Sequence, residues 1–111
     1  MSKKKTMSKK ILKFISNYGN VSFAELNKNI SGFKGNYEFG NLDKNIVWWP
    51  CISQEAIKAI NNLLKAQKIK ATPTGVLIYI MDGGMPKGME IAKQNRKYKS
   101  KRWLPLKLDL V

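Results

Sequence analysis

The sequence has no histidine and a single cysteine, and only seven of its 111 residues are acidic. Without imidazole there is no Ser-His or Cys-His nucleophile pair, no histidine base and no histidine-containing metal site. A lone Cys51 forms neither an internal disulfide nor a four-cysteine zinc site. It reads as a small buried hydrophobe in a reducing, cytoplasmic compartment. The longest apolar run, residues 76–81, is far too short to span a membrane, and Lys13 interrupts the apolar start, so neither a membrane segment nor a secretory signal is expected. The seven carboxylates are scattered. Glu25 and Glu55 have the positions of capping and first-turn residues, and Asp82-Gly83-Gly84 reads as a turn rather than a metal loop. No catalytic residue, metal or cofactor is assigned.

Against those few acids stand 21 Lys plus Arg, a formal net charge of +14. Apolar residues make up 43% of the chain and include three Trp, enough to fill the core of one small domain, so wholesale disorder is excluded. Charge of one sign at this density repels itself and calls for a polyanionic partner. It concentrates in residues 93–103, KQNRKYKSKRW, where six cations are interleaved with Tyr98 and Trp103. Cations neutralise phosphates and release counterions, and aromatic faces stack on unpaired bases for roughly 1–3 kcal/mol each. Candidate nucleic-acid ligands are therefore Lys93, Arg96, Lys97, Tyr98, Lys99, Lys101 and Arg102. With only two arginines in the chain, phosphate contacts are expected to outweigh base reading. Neutralising ~6 phosphates implies a log-log salt slope of about −4 on single strands.

Residues 1–7 are polar, lysine-rich and aperiodic, a basic arm expected to be disordered. From Ser8, Ile11, Ile15 and Tyr18 follow helical spacing up to Gly19; Val21 is a short extended link, and Ser22 with Glu25 forms a capping box for a second helix. Residues 31–45 carry three Gly and three Asn and read as a loop or irregular hairpin, followed by a short strand from Ile46 to Trp49. Adjacent residues of a strand face opposite ways, so Trp48 and Trp49 cannot both enter the same core. One of the pair is a candidate partner contact or stacking platform. Ser53 caps a third helix with Ile57, Ile60, Leu63 and Leu64 on its apolar stripe. Ile69–Thr72, a Pro73-Thr74-Gly75 turn and the β-prone run 76–81 predict a hairpin bearing Lys68 and Lys70, which join the candidate phosphate contacts. Residues 87–97 have weak helical character. Leu104, Leu106, Leu108 and Leu110 alternate as a closing strand, which Pro105 assigns to an edge.

The order ILKFISNYGNVSFAELNKNI at residues 11–30, then a helix and a hairpin, resembles winged-helix domains. The expected fold is α+β and winged-helix-like, with three helices, a C-terminal β-hairpin wing and an extra strand. It forms one domain over residues 8–111, with residues 31–50 as an insertion. The strings VWWP at 47–50, SQEAI at 53–57, TPT at 72–74, YIMDG at 79–83 and RKYKSKRWLP at 96–105 resemble a family of small proteins from Gram-positive mobile elements, the middle proteins of the replication module of staphylococcal cassette chromosomes. That resemblance implies a non-catalytic DNA-binding accessory protein that binds a family A DNA polymerase and supports its primer synthesis. Two other readings stay open. One is a homodimeric winged-helix repressor using residues 53–67 on duplex operator DNA. The other is a basic inhibitor of an acidic host protein.

Overall fold

The computed structural model describes residues 6–82, 84, 86, 88–94 and 96–111. Helix α1 runs Met7–Tyr18, with the Thr6 hydroxyl accepting from the Lys9 amide at 3.2 Å. Met7, Ile11 and Ile15, four residues apart, form its buried stripe. At its end Gly19, φ +64°, gives its amide to the Ile15 carbonyl, a left-handed turn in which glycine carries no Cβ penalty. Met7 therefore belongs to the helix and the core, not to the expected arm; residues 1–5 of that arm lie outside the described residues. Strand β1 is Val21–Ser22, and the Ser22 hydroxyl accepts from the Glu25 amide to start α2, Phe23–Asn29.

The insertion is a hairpin. Strands β2, Lys34–Asn41, and β3, Ile46–Ile52, pair antiparallel through a 3-10 turn at Leu42–Lys44 closed by Asn45 at φ +59°. Its glycines matter by close approach: a Cβ on Gly35 would lie 2.5 Å from the Ser53 Cα, and one on Gly40 would lie 2.8 Å from the Trp48 amide nitrogen. The register of this pair shifts between Lys34 and Gly40, and near the end of β3 Cys51 adopts φ +58° and is exposed. The expected burial of Cys51 is thus corrected. Ser53 then caps α3, Gln54–Lys65, whose Ala56, Ala59, Ile60 and Leu63 are buried and which packs against α1.

The predicted wing hairpin does not form. Strand β4 is Ile69–Pro73, but Val76–Met81 is a helix, α4. The antiparallel partner of β4 is β7, Leu106–Leu110, which lies between β1 and β4. A six-residue apolar run does not reveal its period, and here the alternating leucines of β7 take the ladder, with Leu106 and Leu108 buried. β7 is therefore central rather than at an edge. Pro105 precedes it, so its missing N–H removes no ladder bond, while its carbonyl accepts from the Thr74 amide at 2.9 Å. Between α4 and β7 lie β5, Glu90–Ile91, and β6, Arg102–Trp103; the described residues from 88 to 97 form β5 and irregular bends instead of the expected helix. β6 runs parallel to β3, giving a second sheet of order β2-β3-β6-β5.

One core cluster serves both sheets and the helices. Its centre is a chain of rings: Phe39 edge-on to Phe23, Phe23 stacked on Trp49 at 6.4 Å, Trp49 beside Tyr79, and Tyr79 edge-on to Trp103 at 4.8 Å. Trp103 is fully buried and donates its indole N–H to the Trp48 carbonyl at 3.1 Å. The buried Tyr79 hydroxyl donates to the Leu106 carbonyl at 2.6 Å and accepts from the Phe23 amide at 3.1 Å, and burial pushes its pKa well above the usual phenolic value. Removing that hydroxyl leaves a buried donor and acceptor without their partner, so Tyr79→Phe is predicted to lose about 1–3 kcal/mol of stability in urea denaturation. Gly40→Ala, which forces the hairpin strands apart, is predicted to lose about 1–3 kcal/mol in the same assay.

Candidate nucleic-acid interface

The basic segment is anchored by its tyrosine. Tyr98 is 8% exposed; its amide donates to the Lys44 carbonyl at 3.0 Å, and its carbonyl accepts from the Asn45 side-chain amide at 2.8 Å. The phenol hydroxyl accepts from the Gln94 amide and donates to the Gln94 carbonyl, closing the loop on itself. The guanidinium carbons of Arg96 and Arg102 lie 4.7 and 4.8 Å from the ring centroid. Cation–π attraction of this kind holds both arginines beside one ring despite their like charge. Planar guanidinium groups held in this way keep N–H donors for bidentate contact with an oxyanion. Arg96, Lys97, Tyr98, Lys99, Ser100 and Arg102 together line a concavity of about 310 Å³.

Two of the candidate cations already have partners: Lys101 meets Glu38 at 2.6 Å, and Arg102 meets Glu90 at 3.2 Å. Both pairs are solvent-exposed in part and contribute little stability, so a phosphate can compete for them. Lys93, Arg96, Lys97 and Lys99 have no carboxylate within ion-pair distance among the described residues. The geometry thus offers an anion a cleft with three unpaired cations, Arg96, Lys97 and Lys99, a serine hydroxyl and an already organised backbone, while the exposed Lys93 lies outside its lining.

Three sequence expectations change. Tyr98 is an anchor covered by guanidinium groups, so it offers no free face for base stacking. Trp49 is 7% exposed and part of the ring stack, which removes it from any docking surface; Trp48 is half-buried, edge-on to Phe39 at 5.0 Å. Lys68 and Lys70 are exposed as expected, but at the start of β4 in the other sheet, on no hairpin wing and outside the cleft. Comparison with protein-family models, with curated proteins and with solved structures finds no match for this chain.

Other surfaces escaped the sequence reading. Leu77, Ile80 and Met81 of α4 are exposed while Tyr79 is buried. Their i, i+3, i+4 spacing is a helical signal that the β-prone composition masked. On α1, Phe14 and the exposed Tyr18 pair at 4.6 Å beside Lys10 and Lys13. No group of three or more metal-ligating side chains occurs among the described residues, and no helix among them is long and apolar enough to cross a membrane.

The carboxylates that do approach one another are structural. Ser22 donates to Asp82 Oδ2 at 2.7 Å, tying the end of α4 to the start of α2, and Glu25 lies beside them. Burial, and then the Asp82 charge, raise the Glu25 pKa above its ordinary value. A carboxyl raised in the folded state is penalised only when ionised. The penalty is absent below the unfolded pKa and complete above the folded one. Glu25→Gln is therefore predicted to match the parent in acid and to become the more stable protein as pH rises from about 4 to about 7, measured by urea titrations across that range.

Proposed function

We propose that this chain is a non-catalytic, cytoplasmic DNA-binding accessory protein of mobile-element replication. It holds the backbone of a single-stranded template and a family A DNA polymerase, and so supports primer synthesis. The observation that carries the binding half is the cleft around Tyr98, with its Arg96, Lys97 and Lys99, which have no carboxylate partner among the described residues. The replication role rests on the resemblance of residues 47–105 to the mobile-element family. A winged-helix-like reading of the fold is supported by the order α1-β1-α2-α3-β4-β7 that remains when the β2–β3 hairpin and the segment from α4 to β6 are set aside, and by a sheet in which β7 separates β1 from β4. In that reading residues 74–105 replace a tight wing and carry the cationic cleft away from the α3 face. For the polymerase, the exposed Leu77, Ile80 and Met81, together with the half-buried Trp48, supply the apolar contact that Trp49 does not.

A homodimeric repressor is the second reading, and it has one observation in its favour: Gln54, Lys58, Asn61, Asn62 and Lys65 form an exposed polar face on α3. Asn and Gln side chains can pair with adenine edges in a major groove.

Fluorescence anisotropy of labelled single-stranded and duplex oligonucleotides over a salt series separates these readings. Three unpaired cations on a single strand predict a log-log slope of about −2 from this cleft, shallower than six would give because Lys101 and Arg102 are already paired and Lys93 lies outside the lining. Arg96→Glu with Lys99→Glu is predicted to weaken binding by at least about tenfold and to flatten the slope by about 1–2, uniformly across sequences. Absence of binding at low salt defeats the proposal. Tight preference for one duplex, lost in Asn61→Ala, transfers it to the repressor.

A further inference from the structure

A face of α1 beside its buried stripe carries rings and cations together. Lys10, Lys13, Phe14, Asn17 and Tyr18 follow helical spacing and, with Asn29 at the end of α2, line a concavity of about 400 Å³. Tyr18 is 67% exposed, and its ring lies 4.6 Å from that of Phe14, its i, i+4 neighbour. A lone exposed ring needs no explanation, but this one is backed by a second ring and flanked by two lysines. Lys10 and Lys13 have no carboxylate within ion-pair distance among the described residues, and none of the residues lining the concavity is acidic. The Lys10 ammonium donates to the Ser31 carbonyl at 2.9 Å, which holds it across the gap between α1 and the end of α2.

We infer that this face is a stacking platform for an unpaired base of a single strand, with Lys10 and Lys13 taking the adjoining phosphates. A nucleic-acid strand presents flat apolar rings and negative charges side by side, as this face presents Phe14 and Tyr18 beside Lys10 and Lys13. Every base has a π surface, so an exposed tyrosine adds affinity without reading sequence. Asn29 donates its side-chain amide to the Glu25 carbonyl at 2.8 Å, which leaves its side-chain oxygen to accept from a base amine at the rim. An acidic peptide satisfies the lysines but has no flat ring at each charge to cover Tyr18. The platform also does what the other cleft does not. Tyr98 is covered by two guanidinium groups, so its surroundings meet only the backbone of a strand, which a duplex has as well. Bases in a duplex are stacked on one another, and only a single strand offers a face to Tyr18. The inference rests on the nucleic-acid reading above and supplies the preference for a single strand that backbone contacts leave open.

The test compares anisotropy titrations of a labelled oligothymidine and a labelled random-sequence duplex. Tyr18→Ala removes a ring that is mostly exposed, so the fold is expected to hold. It is expected to weaken oligothymidine binding by roughly fivefold to a hundredfold, the range of one lost base stack, with the salt slope and the duplex affinity unchanged. Tyr18→Phe keeps the ring and is expected to bind as the parent does, whereas Lys13→Gln is expected to flatten the single-strand slope by about 0.7. Equal loss on both probes, or no loss on oligothymidine, overturns the platform, while salt-dependent binding that persists in Tyr18→Ala leaves the cleft around Tyr98 standing. If neither probe binds the parent at low salt, the nucleic-acid reading falls and the platform with it. A ¹⁹F spectrum of protein carrying fluorotyrosine, with the Tyr18 signal identified by its absence in Tyr18→Phe, adds a direct readout. Oligothymidine is expected to move that signal; a shift with a capped acidic peptide bearing one phenylalanine, and none with oligothymidine, overturns the inference and gives the face to an acidic protein.

Discussion

Three segments far apart in the chain meet at the side chains of Tyr79 and Trp103. Tyr79 links α4 to the start of α2 and to β7 through one hydroxyl, and its ring meets Trp103 edge-on. Trp103 in turn donates to the backbone of β3 through its indole nitrogen. Fully buried aromatic side chains of this size are among the largest single apolar contributions in a small core, at roughly 1.5–3 kcal/mol or more each. Because the two sheets share no strand, this pair, with Trp49 and Phe23 behind it, is what makes one body of them. It also fixes the cationic segment, since residues 93–102 leave β5 and return in β6, at whose end Trp103 is seated.

That arrangement explains how a surface so rich in like charge can be ordered. Repulsion among Lys93, Arg96, Lys97 and Lys99 is opposed by local ties that do not depend on a ligand: Tyr98 to Lys44, Asn45 and Gln94, and two guanidinium groups against its ring. An anion arriving at such a cleft meets donors already in place, so less conformational entropy is lost on binding than with a flexible lysine tail.

The local features of the chain were legible in advance because their physics is local. Ser22, Ser53 and Gly19 delimit α1, α2 and α3 through hydrogen bonds that reach only three or four residues. The placement of the charge in residues 93–102 was equally plain. What escaped was decided by partners distant in sequence. The run 76–81 is as β-prone as any in the chain, yet it is helical, because β7 occupies the strand position beside β4 and Tyr79 is drawn to Leu106 and Phe23. Pro105 looked like an edge marker only while the start of β7 was unknown. Lys101 counted as a free cation until Glu38, 63 residues away, came within 2.6 Å.

By itself the sequence determined an α+β chain with three capped helices, a surplus of lysine concentrated near one end, and no means for histidine or disulfide chemistry. Those conclusions need only composition and contacts a few residues apart. The tertiary structure decided which strand lies at the centre of the sheet, that Tyr98 and Trp49 are structural while Leu77, Ile80 and Met81 are exposed, and which cations remain unpaired. Each of these depends on long-range pairing, where burial and hydrogen-bond satisfaction summed over the whole chain outweigh local propensity.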